Sequence, residues 1–314
     1  MEFPHLGFLS AFFCLALVGY HVQASLPAED YWKSLWPNTP MPKALKDLTQ
    51  SDSEWKAGGR IHAKVGHRLM DLEVYSKPDK KVTSHPTKFK SHDEFNHSVT
   101  FFFEHFLQPG KPLNMEFTKR SAEFTFLPDK VAKSIPFSSN RISEILNHFN
   151  IEAKSSDAET LEHTIDTCEL PAIGGVDKYC ATSLESLVNF TVSKLGKNIR
   201  LVSSTVLLEK ETQKKKPQQY SVLPGVKKLG DKAVACHKMN YLYAVFYCHK
   251  VATRSYSVPL VASDGTKAKA LAVCHTDTAQ WSNDNIALKQ LKIKPGTLPV
   301  CHFIAADSLL WIPN

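Results

Sequence analysis

The stretch that decides the fold reads Ala233-Val234-Ala235-Cys236-His237-Lys238-Met239-Asn240-Tyr241-Leu242-Tyr243-Ala244-Val245-Phe246-Tyr247-Cys248-His249. Its β-branched and aromatic content predicts two strands, Ala233–His237 and Tyr241–His249. Side chains alternate between the faces of a strand, so the cysteine and histidine of each dipeptide diverge. A hairpin centred near Leu242 sets Cys236 opposite Cys248. It leaves His237 and His249 on the reverse face at a diagonal, about 7–8 Å apart by backbone. One face then holds a sulfur bridge while the other gathers histidines.

The dipeptide recurs as Cys274-His275 and Cys301-His302, so the four copies are separated by ten, twenty-four and twenty-five residues. Around them further strands are expected at Ile199–Leu207, Gln219–Leu223, Ser255–Val261 and Ala268–His275, with a turn at Ser263-Asp264-Gly265. Towards the N-terminus, Val99–Leu107, Met115–Thr118 and Glu123–Leu127 are β-rich, with a turn at Gln108-Pro109-Gly110-Lys111. Three- and four-residue apolar spacing predicts a helix over Ser138–Phe149, and Glu159–Cys168 reads as another. Ser183 is suited to cap a third that ends before Gly196. The expected fold is α+β: a mostly antiparallel C-terminal domain over 99–314, with a few short helices and disulfide bracing.

Upstream the texture differs. Residues 1–24 are apolar from Phe3 to Tyr20, and Val22-Gln23-Ala24 forms a small-x-small site, so a cleaved signal peptide is expected. Residues 25–48 form an aromatic, proline-rich module whose Pro37, Pro40 and Pro42 forbid a helix, with Trp32 and Trp36 free to pack on a surface. Residues 49–98 read as a basic, variable linker without apolar period. Sequons stand at Asn96 and Asn189, the latter inside a predicted helix.

Composition narrows the classes. The 314 residues are 43% apolar and 22% charged, which excludes a disordered polymer and a membrane bundle. Loss of residues 1–24 removes one acid and one of the seven cysteines, leaving 38 − 30 = +8 and six cysteines, Cys168, Cys180, Cys236, Cys248, Cys274 and Cys301. Six cysteines in a secreted chain imply up to three disulfides, with fifteen full pairings open. No later run is long enough to span a membrane. Basic residues are not interleaved with aromatics, so nucleic acid is set aside as a partner.

No Ser-His-Asp elbow, phosphate loop or dinucleotide fingerprint occurs. Zinc held by cysteine and histidine uses closely spaced pairs that this chain lacks. If the thiols form disulfides, a histidine-only site remains, suited to copper, zinc, nickel or iron, with copper at the top of the affinity order. The simpler alternative is that each histidine hydrogen-bonds beside a disulfide.

The four Cys-His pairs at the C-terminus resemble the signature of the plant BURP-domain family. The resemblance extends over 101–314. It includes Phe102-Phe103, Leu107-x-Pro109-Gly110, Phe126-Leu127-Pro128, Ser134-Ile135-Pro136-Phe137, Cys180-Ala181-Thr182-Ser183 and Leu229-Gly230-Asp231-Lys232-Ala233-Val234. Tyr31-Trp32…Trp36-Pro37-Asn38-Thr39-Pro40 is similar to the family's N-terminal module. The twenty-four-residue interval is one short of the usual pattern, a difference assigned to a loop before Ser255. The resemblance implies a secreted or cell-wall protein linked to seeds, stress or pectin-degrading complexes. It also implies copper at His237, His249, His275 and His302, with the cysteines as disulfide partners. The preferred pairing is Cys168 with Cys180, Cys236 with Cys248 and Cys274 with Cys301, each local in sequence.

Some members of the family cyclise a core peptide in their own chain with copper, through Tyr or Trp side chains. Here no Tyr or Trp occurs between Tyr75 and Tyr179, which argues against autocyclisation. Three readings follow. The first is an extracellular protein of the cell wall or seed storage compartments, whose basic charge favours anionic wall polysaccharide or a wall enzyme. The second is a copper-dependent oxidative cyclase acting on another peptide. The third is a zinc- or disulfide-stabilised binding module.

Overall fold

The computed structural model describes residues 27–49, 101–115, 125–172, 176–207 and 218–314. Its spine is one seventeen-residue strand, β8 (Phe246–Ala262). Strand β7 (Lys227–Lys238) pairs with it antiparallel from Lys238↔Phe246 to Lys227↔Ser257, with register shifts around Gly230. The other edge of β8 takes β3 (Lys178–Ala181) beside 246–249, then β9 (Lys267–His275) beside 253–261. β10 (Val300–Phe303) lies on β9 and β1 (Phe101–Phe102) on β10. On the other flank, β11 (Leu309–Pro313) lies on β7 and β4 (Ile199–Val202) on β11. The eleven strands of the described residues form one sheet, all of its ladders antiparallel, beside seven α-helices. The α+β expectation is borne out.

One link closes this sheet on itself. β5 (Thr205–Leu207) pairs with β9 on the far side from β8, yet follows β4 after only two residues. In a flat sheet β4 and β5 would stand about five strand spacings of ~4.8 Å apart. Three residues of extended chain reach at most about 11 Å. The sheet must therefore curl, and the Ser204 hydroxyl accepts the Leu271 N–H at 3.2 Å across the join. The concave face is filled by Ala233, Ala235, Leu271, Val273, Ile304, Leu310 and Ile312, drawn from β7, β9, β11 and the turn after β10.

The convex face is covered in two places. Helix α6 (Leu184–Leu195) packs Leu184, Leu187 and Val188 against Val234, Cys236, Cys248 and Trp311. Ser183 and Ser186 close a reciprocal capping box at its start, and Gly196 sits at φ 81° past its end, as the sequence predicts. β2 (Pro112–Met115) and β6 (Gln218–Val222) pair with each other, and β6 continues onto β8. Leu113, Tyr220 and Val222 thereby bury Cys274 and Cys301.

A third, helical layer is formed by α3 (Asp129–Ser134), α4 (Ile142–Phe149) and α5 (Ser156–Glu169). It packs against Met239–Tyr247, the connection from β7 into β8.

Several expectations need correction. Strand pairing begins at Phe246, not Tyr241, because Tyr241, Leu242, Tyr243 and Val245 bury onto the helices instead of alternating. No loop precedes Ser255, since β8 runs through it unbroken. Of the Val99–Leu107 run, the described part is 101–107, and only Phe101 and Phe102 of it are strand. The chain then turns as a 3-10 helix so that the Glu104 carboxylate meets Arg254 at 2.9 Å and accepts the Tyr256 hydroxyl.

The N-terminal module contains two helices, α1 (Ala28–Leu35) and α2 (Lys43–Lys46). The prolines exclude helix only between them, while Pro27 and Pro42 stand at the two helix starts. Trp32 is buried against Trp311, with ring centroids 6.3 Å apart, and Trp36 Nε1 donates to the Lys197 carbonyl at 2.8 Å. The expected signal peptide (1–24), the expected linker (49–98) and Asn96 lie outside the described residues, apart from Thr49.

Candidate functional site

All three expected disulfides are formed. Cys168–Cys180 ties α5 to β3, with Cα atoms 5.8 Å apart. Cys236–Cys248 and Cys274–Cys301 are cross-strand bonds between directly opposed residues, Cα atoms 4.0 and 3.9 Å apart. Both have their sulfurs on the convex, apolar side.

Alternation puts the adjoining histidines on the concave side. His237 follows Ala233 and Ala235 at every second residue of β7, and His275 follows Leu271 and Val273 in the same way on β9. The four imidazoles therefore continue the inner apolar cluster towards one end of the curl. His237 stands opposite Tyr247 and His249 opposite Ala235, the diagonal relation expected of the hairpin. Their Nε2 atoms are 3.1 Å apart, and the rings lie within 13° of parallel. His275 and His302 repeat the arrangement, with Nε2 atoms 3.3 Å apart and an interplanar angle of 10°. All four are 1–5% exposed.

Burial sets their charge state. Desolvation pushes the His249 imidazole well below its ordinary range, and the neighbouring His237, His275 and His302 push it the same way. His275 is lowered for the same reason, desolvation first, then His302 and His237. Each pair thus feels the other. Both rings are neutral at ordinary pH, the form in which imidazole binds a metal.

Each pair is hydrogen-bonded, one ring donating and the other accepting, and the same spacing also suits ligation. Two imidazole nitrogens bound to one ion at about 2.0–2.1 Å, at right-angled to tetrahedral angles, lie about 2.9–3.4 Å apart. Both pairs fall inside this window, so each fits one edge of a coordination sphere. Among the described residues no group of three or more His, Cys, Asp or Glu is close enough to enclose an ion, so the imidazoles come as two pairs.

Sequence reasoning missed the surroundings of these pairs. Phe101 abuts His302 edge-on at 5.9 Å, and Trp281 lies 5.3 Å from His275. Trp281 belongs to the segment that carries α7 (Ile286–Leu291) from β9 back to β10 and packs against Phe101 and Val300. Tyr247 lies 5.7 Å from His249. Asn189, the other candidate site, is exposed on α6, where its Oδ1 accepts the Tyr31 hydroxyl at 2.9 Å, while Thr191 of the same sequon is buried.

A family model described as the BURP domain matches residues 100–313. The chain is 46% identical over 228 residues to BURP domain protein RD22 of Arabidopsis thaliana, covering 70% of this chain and 57% of that protein. It is 36% identical over 299 residues to BURP domain-containing protein 5 of Oryza sativa subsp. japonica, covering 92% and 87%. Identity to unknown seed protein USP of Vicia faba is 36% over 319 residues, covering 100% of this chain and 97% of that protein.

Proposed function

Because the chain belongs to the BURP-domain family, we propose that it is a secreted protein of the plant cell wall, apoplast or seed storage compartments whose His237, His249, His275 and His302 hold copper. One observation carries the copper assignment: four buried imidazoles, with His249 and His275 held neutral by desolvation, face each other in two pairs at ligand-to-ligand spacing. Bound copper would supply one-electron redox chemistry at this face.

The protein's own contribution is to hold these rings still. Each ligand strand is locked to its neighbour by a disulfide on the opposite face, one residue away. Three disulfides suit an oxidising compartment, in keeping with a signal sequence in residues 1–24. Exposed Lys227, Lys228, Lys232, Lys267 and Lys269 contribute to a basic surface suited to anionic wall polysaccharide.

The test is metal analysis with intact mass on the full chain secreted from copper-replete cells. The expected protein carries copper, has three disulfides and loses its copper in the His237→Ala/His302→Ala variant. A folded, copper-replete preparation without bound metal overturns the copper assignment. Incubation with Tyr- or Trp-containing peptides leaves their mass unchanged under this reading. Loss of a hydrogen pair from such a peptide would favour the cyclase instead.

A further inference from the structure

Two hydroxyl groups beside the histidines have no hydrogen-bond partner among the described residues: Thr253 Oγ1 and Ser308 Oγ. Each residue is 1% exposed. A hydroxyl left unsatisfied in the interior costs about 1–3 kcal/mol, so two of them flanking one site are suited to donate to a bound group.

Their placement is specific. Thr253 is directly opposite His275 across β8 and β9, and it shares its face of β8 with His249. Ser308 immediately precedes Leu309, the partner of Cys236, so one further step brings it level with His237. Alternation from Leu310 puts it on the concave face. One hydroxyl therefore stands beside each histidine pair. Ser255, the next concave-face residue of β8, makes the contrast: its hydroxyl donates to the Gly230 carbonyl at 3.3 Å.

We propose that the Thr253 and Ser308 hydroxyls donate hydrogen bonds to a small exogenous ligand, such as water, hydroxide or a small anion, carried by the histidine-bound copper. The inference rests on the copper reading above and makes both residues positioning residues. They select for ligands small enough to enter a buried face and able to accept a hydrogen bond.

Azide is the probe, titrated against the copper-loaded full chain and followed by its charge-transfer absorption. Thr253→Val and Ser308→Ala are each expected to weaken azide binding about tenfold, the worth of one hydrogen bond to a charged acceptor. Thr253→Ser, which keeps the hydroxyl, should stay within about twofold. Copper content should be unchanged in all three.

A metal-free readout accompanies this. Neither hydroxyl is bonded among the described residues, so Thr253→Val and Ser308→Ala should leave the metal-free melting temperature level or raise it. A fall of more than about 5 °C, near 1–2 kcal/mol for this size, means the hydroxyl serves the fold and overturns the proposal. Equal copper content with equal azide affinity overturns it alone and leaves the copper reading standing. Loss of copper in Thr253→Val also overturns it, because Thr253 would then hold the metal. Wild-type protein that binds no copper overturns both.

Discussion

The two faces of strands β7 to β10 are built for opposite purposes. The convex face carries Cys236–Cys248 and Cys274–Cys301 inside apolar clusters, and the concave face carries the four histidines and two hydroxyls without a partner among the described residues. On the first, sulfur bonding and van der Waals contact dominate, and the Trp311 indole N–H is the exception, with no partner among the described residues. The second concentrates groups that are costly to bury and useful to a ligand. A single residue step along a strand separates them. Rigidity is thereby delivered next to the site without any bracing group entering it.

The largest expected effect is on the convex face. Replacing Cys236 and Cys248 by Ala should cost about 3 kcal/mol, and Cys274 with Cys301 about 3.5, the longer loop costing more. Their combined removal should leave little folded protein, as judged by urea denaturation. A four-cysteine variant as stable as wild type would break the comparison. Below that combined loss comes Trp32→Ala at about 3–5 kcal/mol, because the module's indole fills the same convex core beside Trp311. Retention of the wild-type urea midpoint would show that the module adds nothing to this core.

The third prediction concerns pH. His249 and His275 are neutral in the fold, with values well below the usual 6.5. Between the two values the unfolded chain binds more protons, so stability is complete above about pH 6.5 and declines as pH falls below it. A loss of melting temperature on the order of 5–10 °C between pH 7 and 5 is expected for the metal-free protein. A His249→Gln/His275→Gln variant should lose much of that slope, and an unchanged slope would assign it to other groups.

The smallest stability effect is expected at the concave face itself. Exchanging His275 and His302 together for Gln should shift stability at pH 7.5 by no more than about 1 kcal/mol, while copper binding falls. A shift of disulfide size would mean that the imidazoles are structural.

Much of this was legible in the residues. The hairpin reading set Cys236 against Cys248 and put His237 diagonal to His249, and both hold to the residue. That succeeds because alternation is a local property of extended chain. The capping of α6 by Ser183 was readable for a similar reason, since both partners lie within one turn. The run Tyr241–Val245 misled because aromatic content signals a strand equally well when the residues pack on helices. Helix α1 went unread because the prolines that follow it at Pro37, Pro40 and Pro42 dominate the segment's texture. Thr253 was within reach: it is four residues after His249, the same-face spacing, had β8 been taken as one strand.

By itself the sequence determined the division of labour within each Cys-His dipeptide, the opposition of Cys236 and Cys248, and membership in the family. Only the tertiary structure decided that the two histidine pairs share one buried concavity. That depends on segment 199–207 reaching from β11 to β9, contacts made across roughly one hundred and ten and sixty residues of chain. Such pairings are set by the packing of the whole sheet, and no local period records them. The curl they impose turns four dipeptides into one face, with Thr253 and Ser308 at its margin.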